Sequence, residues 1–312
     1  MSSKSNDNGR YFEYLISKYI SEEFGVVFTP RANADQLRDQ SKSETIKDDH
    51  KLKMDKSLKT IGDWIQTKIP LNAATELDRL PDRDSQGNQS GHSDISLCSL
   101  GKKIALSIKY NHHAVFHGRP YTLPQQCGFS KSSEVTKKFM EKQILRSNEL
   151  RKIIAPRTVF SLPDRKGVKE EYQRDWGEFM KDLVTNSSDF LNSHGQNKDI
   201  VEFLFNTIIG SVNSLPGEEA FRLILQDGRL VIQDISTLSF PKSFKAEALQ
   251  EGVIYQWFLY IHFDNGLIIR CRHKHDKKII TNFDTQIKIK PDWQVSDWGN
   301  SGMKEELIKV TN

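Results

Sequence analysis

Residues 94–109 read Asp-Ile-Ser-Leu-Cys-Ser-Leu-Gly-Lys-Lys-Ile-Ala-Leu-Ser-Ile-Lys, with apolar and polar residues alternating on both sides of Gly101-Lys102. Alternation with a period of two marks strands that bury one face, and a glycine opening a two-residue link marks a tight hairpin. With Gly101-Lys102 as the turn, Ile95 lies opposite Ile108, Leu97 opposite Leu106, Ser96 opposite Ser107 and Asp94 opposite Lys109. Ile95, Leu97, Leu106 and Ile108 then form a core face, while Asp94, Ser107 and Lys109 share the other. An acid and an amine meet on one side of a rigid element.

Such a grouping suits phosphodiester hydrolysis. Asp94 offers a hard oxygen to Mg²⁺, which takes carboxylate, carbonyl, water and phosphate oxygens, and the Ile108 backbone carbonyl is expected to offer another. Lys109 is placed to orient or help deprotonate the attacking water and to offset charge on a phosphorane-like transition state. Just downstream, Asn111, His112, His113, His117 and Arg119 form a cluster of donors suited to phosphates or base edges. The His113/His117 spacing also fits a helical metal pair, but no further ligands complete a zinc pattern.

Outward from the hairpin, Phe12, Leu15, Ile16, Tyr19, Ile20 and Phe24 recur at helical spacing and predict a helix over residues 11–24, with Glu13 on the margin of its apolar stripe. Residues 33–60 are dominated by Lys, Asp, Gln and Ser and read as an exposed helix or excursion contributing little core. Residues 61–74 read as a short helix or irregular packing segment, and residues 81–91 as a loop containing Asp82. Helices are expected over 130–154, 170–191 and 199–212, then strands from Phe221 onward. A long hairpin is expected to turn at Asn265-Gly266, with both residues at positive φ. Its return strand alternates Ile269, Cys271 and His273 with Arg270, Arg272 and Lys274, a cationic strip able to follow a phosphate backbone. The division expected from this order is a core over 1–215 and a β-rich DNA-contacting part over 216–312.

The chain has 312 residues, 37% of them hydrophobic, 28% charged, with a net charge of +4 and three cysteines. That is enough apolar material for a real core. No stretch approaches the roughly 18 to 20 apolar residues that span a bilayer, and the polar start lacks a secretory signal, so a cytoplasmic protein is expected. The odd, widely spaced cysteines argue against a disulfide framework. Neither a GxxxxGK[ST] phosphate loop nor a GxGxxG fingerprint occurs, which leaves ATP-driven and Rossmann-type methyl-transfer readings with little support.

The early helix carrying Glu13, the segment SGHSD ending in Asp94, the short hairpin and the run Ser107-Ile-Lys109 together resemble the PD-(D/E)XK nuclease superfamily. Its last motif is usually acid, any residue, lysine. The runs SIKYNHHAVFHGRPYTLPQQCG, FDNGLIIRCRHKH and NFDTQIKIK, with GRYFEYLI near the start, are similar to the HaeIII-type restriction endonucleases over most of the chain. That resemblance implies an α/β fold with a central mixed β-sheet flanked by helices, a restriction-endonuclease-like core, and additional C-terminal β-hairpins. It implies a type II restriction endonuclease cutting double-stranded DNA with Mg²⁺ at a short site such as GGCC. A separate cognate methyltransferase is implied as genetic partner, and a palindromic site would favour a homodimer. Ser107 departs from the motif. The resemblance therefore implies either a replacement carboxylate, for which Glu13 on the first helix is the candidate, or a DNA-binding protein of the same fold with lost or impaired cleavage.

Overall fold

The computed structural model describes residues 4–79, 94–111, 120–154, 160–161, 170–209, 219–275, 279–280 and 289–310. The chain divides into two units interleaved in sequence. The first comprises Met1–His113, Ile209–Leu238 and Gly302–Asn312, and the second Ala114–Ile208 and Ser239–Ser301. The crossing between Ile208 and Ile209 lies near the division expected at residue 215, but the chain also crosses between the units after His113, Leu238 and Ser301. The sequence order hides this, because both pieces of the second unit are inserted between strands that are neighbours in the first.

The first unit is built on a mixed seven-stranded sheet. It contains β1 (Val27–Phe28), β2 (Glu76–Arg79), β3 (Ile95–Ser99), β4 (Lys102–Tyr110), β6 (Glu219–Gln226), β7 (Arg229–Asp234) and β13 (Lys304–Lys309), in that spatial order, numbered along the chain. The β1/β2 and β4/β6 pairs are parallel, the others antiparallel. Helices α1 (Lys4–Phe24), α2 (Pro30–Gln40) and α3 (Asp48–Lys68) belong to the same unit.

Helix α1 follows its apolar stripe: Phe12, Ile16 and Ile20 are fully buried in one cluster with Ile95, Leu97, Leu106 and Ile108. The polar stretch 33–60 is helical over much of its length and buries only Ile46 and Met54 among its hydrophobic residues, while the residues flanking it carry more of the core. Met54, Ser57, Ile61, Trp64 and Ile65 are buried on α3, and Ala32, Gln36 and Asp39 on α2. Their spacing on α3 defines a single helical face, and small or polar residues at some of those positions dilute the sequence signal.

The hairpin turn differs from expectation. Leu100 and Gly101, both at positive φ (52° and 79°), occupy the turn, and the ladder pairs Ile95 with Leu106, Ser96 with Ala105 and Leu97 with Ile104. The register is thus shifted by two residues, and the ladder ends at Ile95/Leu106, with Asp94 just beyond it and not paired with Lys109. An even shift preserves which face each side chain takes, so the division into core and polar faces survives. Asp227 and Gly228 make a similar positive-φ turn between β6 and β7.

The second unit holds α4 (Leu123–Gln126), α5 (Glu134–Ile154), α6 (Glu170–Asn192) and α7 (Lys198–Ile209, whose last residue falls in the first unit). Its four-stranded antiparallel sheet runs β12-β10-β9-β8, from β8 (Phe244–Gln250), β9 (Trp257–Phe263), β10 (Ile268–His275) and β12 (Ile289–Asp297). A short pair joins β5 (Phe160–Ser161) and β11 (Ile279–Ile280). Helix α6 packs on β8 and β9. The β9/β10 link is a three-residue loop, Asp264 to Gly266, in which Gly266 N–H donates to the Phe263 carbonyl at 3.0 Å and only Gly266 has positive φ. Asn265 does not adopt the primed conformation because its side chain accepts from Leu267 N–H, a local turn that needs no positive φ.

Among the described residues no helix is long and apolar enough to cross a membrane, and Cys98, Cys127 and Cys271 are free thiols.

Candidate active site

Asp94 stands just before β3, where that strand stops short of its neighbour. Its N–H donates to the Leu106 carbonyl at 2.7 Å, while β4 continues to Tyr110. The next β4 group facing the missing part of β3 is the Ile108 N–H, and it donates to Asp94 Oδ2 at 2.6 Å. The same oxygen accepts from Lys109 Nζ at 3.3 Å, with both side chains about one-fifth exposed. Asp94 and Lys109 therefore meet diagonally, with the carboxylate pinned by a backbone donor. In an antiparallel ladder a residue's N–H and C=O point to the same neighbour, so the Ile108 carbonyl is directed to the Asp94 side as well.

Glu13 approaches from α1. It is nearly buried and its Oε2 accepts from Arg79 Nη2 at 2.5 Å. Arg79 is itself buried and also donates to Asp39 Oδ2 at 3.1 Å and Gln36 Oε1 at 3.0 Å. Arg38 donates to the same Asp39 carboxylate from outside. Burial, followed by the neighbouring Asp94 carboxylate, pushes the Glu13 carboxyl up to about 8, against the pull of Arg79, Lys109 and Arg10. Glu13 thus feels both hairpin residues, and its direct partner is Arg79.

Ser107 is 4% exposed and its hydroxyl has no partner among the described residues. Across the parallel pair it faces Arg222 of β6, a 3% exposed arginine whose guanidinium is pushed down to about 10 by burial, with Asp94 acting in the opposite sense.

The oxygen donors Asp94, Glu13 and the Ile108 carbonyl are all hard. Among the described residues no group of three or more His, Cys, Asp or Glu side chains could hold a metal ion. Mg²⁺ is usually bound through one or two carboxylates, with waters and substrate phosphates completing the octahedron, and this donor set fits that mode.

The other expected contacts fall differently. His112, His113, His117, Arg119 and Asp82 lie outside the described residues. Asn111 is exposed at the end of β4, at φ 57°, with its N–H on the Leu225 carbonyl. Arg270, Arg272 and Lys274 belong to β10 in the second unit, where Ile269, Cys271 and His273 are buried as the alternation requires. Arg270 is partly committed: it sits 3.6 Å from Glu251 and lies over the Phe258 ring at 5.1 Å.

Sequence reasoning missed Arg79 and Arg222. Arg222 did leave a signal, as the lone charge within the otherwise apolar strand interior AFRLIL. Arg79 left none, because a four-residue strand next to a loop-like stretch has too little periodicity to read.

Comparison with models of protein families, with curated proteins and with solved structures gave no match.

Proposed function

We propose that this chain is a Mg²⁺-dependent DNA endonuclease of the type II restriction class, with a restriction-endonuclease-like core in its first unit. The carrying observation is the Asp94 carboxylate held between the Ile108 N–H and the Lys109 amine, with Glu13 in electrostatic reach. Bound Mg²⁺ would polarise the scissile phosphate and make a coordinated water more acidic. Asp94, Glu13 and the Ile108 carbonyl are the groups to hold it. Asp94 is kept in one rotamer by its backbone donor, so its free oxygen is pre-aimed. Lys109, tethered to Asp94, places a cation where charge builds on the phosphoryl oxygens and orients the attacking water.

Duplex DNA is the proposed substrate and partner, at a short site for which GGCC is the first to try. A separate methyltransferase would protect host sites. Arg272, with the more committed Arg270, is the described candidate for backbone contact, and Lys274 follows from the alternation of β10 in sequence.

The test is purified protein with mixed-sequence duplex DNA and Mg²⁺ or Mn²⁺, followed by sequencing of fragment ends. Discrete ends that disappear in Lys109→Ala support the reading; no cutting with either ion sinks it. The second reading, a site-specific DNA-binding protein that does not cleave, is favoured by Ser107 and would give a footprint without products.

A further inference from the structure

We propose that Arg222 is a fixed cation serving the Asp94 site, so that the site takes one divalent metal ion and not two; this rests on the metal-dependent reading above. The observation is a polar row crossing the sheet. Ser107 pairs with Arg222, Arg222 with Gln233, and Gln233 with Glu305, while on the other side of β4 Asp94, just before β3, is held by the Ile108 N–H. Partners across a ladder share a face, and neighbouring strands lie about 4.8 Å apart. Four polar residues from four strands thus stand abreast, with Asp94 at the end of the row.

Arg222 is locked within this row. Glu305 Oε2 accepts from Gln233 Nε2 at 2.9 Å, which turns the Gln233 carbonyl toward Arg222 Nη1 at 3.4 Å. Arg222 Nη2 donates to the Ile209 carbonyl at 3.3 Å. Its Nε has no partner, and it makes no ion pair among the described residues. A buried arginine without a carboxylate in contact is costly unless some negative charge lies within range, and Asp94 is the acid that acts on it.

Ser107 completes the argument. A second metal ion needs further carboxylate, and the natural place is the Ser107 position, on the same face as Asp94 and Lys109. A carboxylate there would face Arg222 across the strand pair and be neutralised by it. The chain has instead a small hydroxyl beside a built-in positive charge. Arg222 acts through Asp94 and the field at the site, and is a positioning residue, not a catalytic one.

The test counts Mn²⁺ ions per chain by calorimetry on the full-length protein, without DNA. The wild type is expected to bind one ion, lost in Asp94→Asn. Ser107→Asp is expected to bind one ion still, and Ser107→Asp with Arg222→Gln to bind two. A unit charge about two strands away, acting on a divalent ion, should make Arg222→Gln bind Mn²⁺ about tenfold tighter, while Arg222→Lys stays within about twofold of wild type because it keeps the charge. A variant damaged only in folding would bind more weakly, so the direction separates the two explanations. Should Arg222→Gln fail to fold, Ser107→Asp still decides. Two ions in the wild type, or in Ser107→Asp alone, overturn the inference and leave the metal reading standing. No ion in the wild type, or one that survives Asp94→Asn, overturns the metal reading and the inference with it.

Discussion

Asp94 Oδ2 accepts the Ile108 N–H at 2.6 Å, so the acid before β3 is fastened to the backbone of the strand that carries Lys109. The pairing does not depend on a flexible side chain finding its partner. Asp94→Asn can keep this hydrogen bond while losing the charge. Cleavage should fall by at least about a hundredfold, the scale on which one preorganised electrostatic group contributes, with a nearly unchanged melting temperature. Plasmid cleavage and a thermal melt on the same preparation check this.

Arg79 links Glu13, Asp39 and Gln36 in a nearly water-free setting. Arg79→Ala would leave Glu13 and Gln36 without their buried partner and Asp39 with Arg38 alone, and removing one partner of a buried ionic group costs about 3 to 5 kcal/mol. Urea unfolding should show a loss of that size. Asp78→Ala, which removes an exposed pair with Arg31 on the other face of β2, should cost under about 1 kcal/mol.

Glu13 makes metal-free stability depend on pH. Its folded-state pKa, about 8, lies above the ordinary value of 4.5. The folded protein keeps a proton that the unfolded chain releases, so this contribution is present below about pH 4.5 and lost as pH rises through about 8. His273, pushed down to about 3 by burial, acts oppositely as pH falls below its ordinary 6.5. Glu13→Gln isolates the first effect. Denaturation in EDTA at pH 5 and pH 8 should show a smaller stability loss in Glu13→Gln than in the wild type; an equal loss would contradict the assignment.

Leu100 is 84% exposed and held at φ 52°, a conformation costing an L-residue about 1 kcal/mol or more. Asparagine tolerates it and suits the first position of this turn. Leu100→Asn should raise stability by about 1 kcal/mol, read from a shifted denaturation midpoint at constant slope.

Arg272 sits on the cationic side of β10, in register with Asp292. If it contacts a phosphate, Arg272→Ala will weaken DNA binding similarly on all sequences and lower the salt slope, log affinity against log salt, by about 1. An unchanged slope would remove Arg272 from the interface.

The sequence revealed faces better than registers. Alternation placed Ile95, Leu97, Leu106 and Ile108 on the core side whichever residues made the turn, because a slip of two keeps parity. The turn itself was misplaced because Leu100 lacks the chemistry that usually marks a positive φ. Helix α3 was under-read because Ser57 and Gly62 stand on its buried face, where tertiary packing and not composition decides burial. Asp94 and Lys109 were legible as a pair. Arg79 and Arg222 were not, since each matters through partners distant in sequence: Glu13 lies 66 positions from Arg79, and Ser107 meets Arg222 only across a parallel ladder.

The interleaving of the two units also sets an order of assembly. Strands β3 and β4 emerge from the ribosome together, but β6, the parallel neighbour of β4, follows only after α4 to α7 have been made. Until then one edge of the hairpin, with Ser107 and the Lys109 backbone on it, has no strand to pair with. A nascent chain in that interval carries an open apolar edge, so slowing synthesis between residues 111 and 218 should raise its dependence on chaperones more than slowing it beyond Asp234.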